Sequence, residues 1–295
     1  MQRPSLHKRV DRLEESTRTI NEAQADIDIT AEIQREVPED AVEFCKTLLG
    51  FEPTHYQAEL LESNRQFIAA RYCRQSGKTW TITARILHKM LRNPESWWAA
   101  FGPSFRQSKQ VIRNLTRHLL KLKKSWYHKP LKTKIELANG SRIEAFPNNP
   151  DTIRGPTLNG IYCDEFNFVA NDEDLYDAIL FTLGTTDGEF ICSSTPWSRD
   201  HIFYKICKDK DYDDFKRFHV TWDKALEPDG PLKKNILEKI KKQLAADPWR
   251  WQREMEAEWS EDESCWLPQA LIGQCQDSML EIRVVDKRHS FWVAN

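Results

Sequence analysis

The chain has 295 residues, 40% of them hydrophobic and 30% charged, with a net charge of −2. Length and apolar content suffice for one large core, or a core plus a small subdomain, and exclude a disordered chain. The near-neutral balance excludes a uniformly basic surface, so any affinity for nucleic acid has to come from a local patch.

In chain order, Met1 to Glu15 is charged throughout, which is no signal peptide, and no apolar run approaches membrane-spanning length. The seven cysteines include no Cys-x-x-Cys pair and no Cys/His cluster at zinc spacing. This reads as a reduced, cytosolic protein without structural metal. Residues 1–45 predict a polar helical extension interrupted at Pro38, best read as a solvated arm, with a docking segment as the alternative. From Phe51 apolar strands alternate with helices, the pattern of a parallel sheet covered on both faces.

The run Arg71-Tyr-Cys-Arg74-Gln75-Ser76-Gly77-Lys78-Thr79 follows the apolar strand Phe67–Ala70 and opens a helix carrying Ile82, Ile86 and Met90. That strand–loop–helix setting is what a phosphate-binding loop requires. Backbone N–H groups face the phosphates, Lys78 neutralises them, and the Thr79 hydroxyl serves a magnesium ion. The strict motif has glycine where this chain has Tyr72. Next, Ser104 to Gln107 has the form of a capping box, and Val111, Ile112, Leu115, Leu119 and Leu122 give the helix behind it an apolar stripe. The run Lys121 to Lys134 interleaves bases with Trp126 and Tyr127. It reads first as a solvated helix end and loop, and alternatively as a grip on a nucleic-acid backbone. Asn139-Gly140 predicts a tight hairpin.

The strand Ile161-Tyr-Cys-Asp164-Glu165 ends in two acids, one placed to hold magnesium and one to act on the attacking water. Phe190 to Pro196 is a further strand ending in the hydroxyls of Ser193, Ser194 and Thr195. Beyond Pro196 the composition shifts to charged helices, over 235–244 and 249–258. Trp249, Trp251 and Trp259 are assigned to packing rather than base stacking.

Taken together, Arg74 to Thr79, Asp164-Glu165 and Ser193 to Pro196 resemble the large terminase subunits of tailed bacteriophages, the ATP-driven motors that package viral DNA. In that family the phosphate loop replaces its first glycine and carries an arginine at the position of Arg74. Pro53 to Gln57 is similar to the family's adenine-reading glutamine motif, and Trp97 to Gln107 to its second strand and following helix. The resemblance covers roughly residues 51–263 and implies an α/β P-loop NTPase of ASCE type: a parallel sheet flanked by helices, with a small, mainly helical lid.

It divides the chain into an ATPase core over 46–200, a lid over 201–265 and a linker over 266–295. That linker would lead to a nuclease domain absent from this chain, so no nuclease activity is expected. It implies ATP and Mg²⁺ as cofactors. Gln57, Arg74, Gln75, Ser76, Gly77, Lys78 and Thr79 would bind nucleotide, and Thr79 and Asp164 would hold the metal. Glu165, Arg74 and Arg154 would be catalytic, with Arg154, in Asp151 to Pro156, as a finger reaching a neighbouring subunit. Ser194 and Thr195 would couple phosphate release to the lid. The implied partners are double-stranded DNA, the portal protein, the terminase small subunit and further copies in a ring. That ring would be a pentamer on the procapsid in the host cytoplasm, and the chain a monomer in isolation, with no membrane. A DEAD-type helicase shares the glutamine motif, Gly-Lys-Thr loop and Asp-Glu strand, and a non-catalytic nucleotide-binding adaptor is the other alternative.

Overall fold

The structure is a computed structural model that describes residue 24 and residues 27–260. Strands β1 (Phe67–Tyr72), β2 (Trp97–Phe101), β3 (Lys134–Glu136), β4 (Arg142–Ala145), β5 (Gly160–Asp164), β6 (Glu189–Ser194) and β7 (Phe215–Val220) form one sheet. Their order is β3-β4-β2-β5-β6-β1-β7. Every neighbouring pair is parallel except β3 with β4.

Alternation along each strand sends side chains to opposite faces, and the sheet is apolar on both. Ile68, Ala70 and Tyr72 of β1 share one core with Trp98, Tyr162 and Ile191; Ala69 shares the other with Phe101, Ile161, Cys163 and Phe190. The first core is covered by a helix over 27–36 (α1) together with α2 (Ala41–Thr47), α3 (His55–Leu61), α4 (Lys78–Arg92) and α5 (Phe105–Leu119). The second is covered by α6 (Asp172–Leu183) and α7 (Ile202–Lys208). The buried cysteines 45, 73, 163 and 192 act as small apolar residues in these two cores.

The helices start and face inward for visible reasons. On α4, Ile82, Ile86 and Met90 are fully buried, and on α5 so are Val111, Leu115 and Leu119. Truncating any one of these to Ala costs about 2–5 kcal/mol. Ser104 caps α5 by accepting the Gln107 N–H, while the Gln107 side chain meets the Ser104 hydroxyl rather than closing a full capping box. The Asn139-Gly140 turn closes the β3–β4 hairpin, with Ile135 opposite Ile143 and Gly140 at φ +81°. At the head of β5, Gly160 is required by packing, since a Cβ there would lie 2.4 Å from the Trp98 ring.

Two expectations change. The extension is no solvated arm where it is described. Ile33, Val37, Phe44 and Cys45 are buried in the first core, and the break at Pro38 separates α1 from α2, which Asp40 caps. The segment beyond residue 200 also contributes to the sheet. β7 lies beside β1 with Phe215, Phe218 and Val220 buried, so the main sheet extends past the boundary drawn at 200. Helices α8 (Lys234–Gln243) and α9 (Pro248–Glu254) follow β7. Residues 1–23, the end of the expected lid over 261–265 and the linker over 266–295 lie outside the described residues.

Candidate active site

The carboxyl ends of β1, β5 and β6 converge, and the phosphate loop leaves β1 there. Two residues of the loop have left-handed backbone, Gln75 at φ +64° and Gly77 at φ +85°. The left-handed backbone favours glycine at 77, and a Cβ there would also press on the tip of the Gln57 side chain, Nε2 lying 2.6 Å away. The loop is pinned from outside the motif. The Cys73 N–H donates to Val220 O and the Arg74 N–H to Glu254 O, both at 2.8 Å. The Tyr56 hydroxyl donates to Ser76 O at 2.8 Å, and Ser76 Oγ donates to Cys73 O.

Lys78, the first residue of α4, is buried, and its Nζ lies 2.9 Å from Glu165 Oε1 and 3.7 Å from Asp164 Oδ1. Thr79 Oγ1 donates to Asp164 Oδ2 at 3.1 Å. Behind Asp164, Ser193 Oγ donates to Oδ1 at 3.0 Å and is itself 2.9 Å from the Tyr162 hydroxyl. Glu165 has φ +52°, a left-handed conformation unusual for a non-glycine residue and typical of sites held under constraint. Its Oε2 accepts from Ser194 Oγ at 3.3 Å and from the Thr195 N–H at 3.4 Å.

Burial pushes the Glu165 carboxyl up, but Lys78, the Thr195 N–H and the Ser194 hydroxyl outweigh it, and the group titrates below the usual glutamate range. Burial likewise pulls Lys78 down, and the attraction of Glu165 and Asp164 reverses that, so Lys78 titrates above the ordinary lysine value. Both groups are therefore charged at neutral pH.

A cleft of about 420 Å³ opens over this cluster, lined by the loop from Cys73 to Thr79 with Trp80, Gln110, Asn114, Glu165 and Thr195. The predicted residues from Arg74 to Thr79 thus share one cleft with Glu165 and Thr195, and Asp164, Ser193 and Ser194 support it from behind.

Three predicted residues have partners of their own within the chain. Gln57 is buried next to the loop, but its Oε1 accepts the Thr54 N–H at 3.0 Å and closes the start of α3, so that oxygen is already engaged. Arg74 lines the cleft with its guanidinium turned toward α9, Nε 3.2 Å from Glu254 Oε2. Arg154 lies outside the cleft lining on an exposed turn, 3.2 Å from Asp151 Oδ1.

Sequence reasoning missed Gln110 and Asn114, which α5 turns into the cleft at helical spacing. It also missed Asn167, whose N–H donates to Ser194 Oγ while its Oδ1 accepts from the Trp197 N–H at 2.7 Å and Trp259 Nε1 at 3.0 Å. The only sign of Asn167 in the sequence is its position two residues after Glu165. Trp259 and Trp251 are buried, as the packing reading requires, and Trp249 is half-buried.

The phosphate loop on β1, the acid pair on β5 and the strand β6 inserted between them define an ASCE-type P-loop NTPase. The family described as terminase large subunit, T4likevirus-type, N-terminal, matches residues 72–274, and the chain belongs to that family. The structure is similar to the large terminase ATPase domain of Thermus phage P74-26, in an arginine-to-alanine variant. The TM-score there is 0.58 at 20% identity, covering 74% of this chain and 98% of that one. It is similar to the HK97 bacteriophage large terminase, with TM-score 0.63 and 15% identity over 75% of this chain and 55% of that one. A third likeness is to the large terminase of a thermophilic bacteriophage in complex with ADP, with TM-score 0.59 and 17% identity over 70% and 53%. The chain spans about half the length of the last two. At these identities the likenesses show the fold.

Proposed function

We propose that this chain binds and hydrolyses ATP with Mg²⁺, and that as part of a terminase large subunit it drives double-stranded viral DNA into a procapsid. The observation that carries the reading is the cluster of Lys78, Thr79, Asp164 and Glu165 within hydrogen-bond reach at the mouth of a phosphate loop. An adaptor that keeps only the fold has no need of this buried, fully paired charge set. The fit to magnesium rests on chemistry: Thr79 Oγ1 and the Asp164 carboxylate offer adjacent hard oxygens. Among the described residues no group of three or more His, Cys, Asp or Glu is gathered to hold a metal. Few protein ligands, with phosphates and water completing the shell, is the magnesium habit. When bound, the ion would neutralise phosphate charge.

The remaining work falls to the chain. The N–H groups of residues 75–79 and Lys78 hold the β- and γ-phosphates, so Lys78 exchanges its bond to Glu165 for the nucleotide. Glu165, released from Lys78 and steadied by Ser194 and the Thr195 N–H, orients and polarises the attacking water. Ser194 and Thr195 then sense the change in Glu165, and Asn167 passes it to Trp197 and Trp259. Gln57, with its Oε1 engaged at the start of α3, has Nε2 left for a base or for the loop. Arg74 completes the charge in cis only by leaving Glu254. Arg154, exposed and outside the cleft, suits supply in trans to a neighbouring copy in a ring, with the portal and small subunit as further partners in the host cytoplasm.

Measuring ATP turnover of the chain with and without Lys78→Ala tests the reading. Turnover should be lost, because the phosphates lose the one lysine of their loop, and a variant as active as the parent would sink the assignment.

A further inference from the structure

The residues between Ser96 and Ile135 include no Asp or Glu, in a chain whose acids otherwise outnumber its bases. The structure organises this acid-free stretch. Arg106, Lys109, Arg113 and Arg117 recur on α5 at spacings of three, four and four, which aligns them along one face. Among the described residues no ion pair to a carboxylate forms at any of these four, whereas most of the other described arginines have one. Arg113 Nη1 donates to Gln110 Oε1, and Lys109 lies over the Phe105 ring.

Beside this face runs a groove of about 440 Å³, lined by Arg106, Lys109 and Arg113 on one wall and by Pro130, Leu131 and Lys132 on the other. The nearby acids of the hairpin are already engaged, Glu136 by Lys134 and Glu144 by Lys134 and Arg142. Of the linear run Lys121 to Lys134, only the turn at Pro130 to Lys132 joins the patch. Lys121 is bonded to Leu49 O, Lys123 is held by Glu32 and Glu36, and Trp126 is buried.

We propose that the groove between α5 and the Pro130–Lys132 turn is the surface on which this chain grips the phosphate backbone of duplex DNA. This deepens the functional reading above and rests on it for the partner. From Arg106 to Arg117 the face is about 16 Å long at 1.5 Å per residue, enough to follow roughly five phosphates of one strand. The groove lining holds no amide or aromatic side chain that could read a base, which suits grip regardless of sequence. The same helix turns Gln110 and Asn114 into the nucleotide cleft, so grip and hydrolysis share one rigid element.

The test is the salt dependence of binding to a short labelled duplex, measured by anisotropy on the full chain without nucleotide, so that it stands whether or not the chain hydrolyses ATP. For the parent, log K should fall with log salt at a slope of about −4. The triple variant Arg106→Gln, Lys109→Gln, Lys132→Gln should lower the slope by about three and weaken binding roughly 100-fold or more at ~0.1 M salt. A matched triple variant on α8, Lys239→Gln, Lys241→Gln, Lys242→Gln, should bind as the parent does. Circular dichroism melts check that each variant folds. An unchanged slope in the groove variant, or an equal loss in the α8 variant, overturns the proposal. So do displacement of the duplex by millimolar inorganic phosphate, which marks a small-anion site, and tighter binding of polyglutamate than of DNA, which marks an acidic protein partner.

Discussion

The phosphate loop and the Arg154 turn both present a cation that the proposed chemistry needs, and they do so in opposite ways. Lys78 keeps 8% side-chain exposure and has two carboxylates within 4 Å, with the loop around it tied to β7, α9 and α3. Arg154 keeps 68% exposure and has one partner, Asp151, itself 76% exposed. A buried cation has to be matched inside its own chain, because an unpaired one is too costly to keep. An exposed arginine carries no such demand and remains available to another molecule. On the proposed mechanism, the difference separates what this chain would complete alone from what a neighbour would bring.

The largest test of that division is turnover in an assembled ring. If Arg154 acts in trans, turnover per chain should rise with protein concentration or on assembly at a portal, and Arg154→Ala should remove the rise. Arginine fingers contribute about 10³–10⁵ in rate, so the effect is large. Mixing Arg154→Ala chains with Lys78→Ala chains should restore part of the activity, since each supplies what the other lacks. No recovery, with activity flat across concentration, assigns the charge to Arg74 in cis and ends the contrast between the two regions.

On the self-contained side, Glu165→Gln should bind ATP and magnesium as the parent does and turn over about 10²–10⁴ more slowly. The amide keeps the shape and the bonds to Ser194 and Thr195 but cannot polarise water. Calorimetric titration alongside a turnover assay separates the outcomes. If binding falls together with rate, Glu165 is a structural partner of Lys78 and nothing more.

What the sequence revealed of these two regions follows the same division. Strand ends with short motifs were legible, because a phosphate loop and an acid pair have fixed positions on their strands. Lys78, Thr79, Asp164 and Glu165 meet as their motifs require. The supports were not legible, since they come from far along the chain. Glu254 takes the Arg74 N–H, and Val220 takes that of Cys73. β7 was hidden because Phe215 sits inside the run Lys208 to Arg217, and Phe218 and Val220 directly after it, and the charges of that run dominate any local average. Gln57 was readable in another way: Thr54-x-x-Gln57 has the spacing of a capping box, and capping is one use the structure makes of it. In the basic run, pairing of Lys123 with Glu32 and Glu36, some ninety residues earlier, could not be seen in a local window.

Stability provides a smaller contrast. Removing Lys78 leaves two carboxylates facing each other in a low-dielectric site, so Lys78→Met should cost about 1–3 kcal/mol in nucleotide-free protein. That is less than for a wholly buried pair, because Glu165 keeps partial access to water. Adding Glu165→Gln should recover part of the loss. Arg154→Ala should change stability by no more than about 0.5 kcal/mol, as an exposed pair contributes little. Urea denaturation of the four proteins checks the order, and equal losses for Lys78→Met and Arg154→Ala contradict it.

The smallest effect is in the pH dependence of that same buried pair. Glu165 is held below its ordinary value of 4.5 in the folded protein, so unfolding raises its affinity for a proton. Its contribution to stability is therefore fully present above 4.5 and is lost as pH falls through the lowered folded value. Lys78, held above its ordinary 10.5, behaves in the mirror sense: its contribution is complete below 10.5 and is lost as pH rises through the raised value. Neither changes near neutrality, so the pair is constant where the protein works and fails only at the extremes. The parent and Glu165→Gln should accordingly differ in urea midpoint by a constant amount from about pH 6 to 8, and the gap should narrow on acidification below about 4.5. A gap for Glu165→Gln that stays constant down to about pH 3 would show that Lys78 does not hold that carboxylate in its charged form.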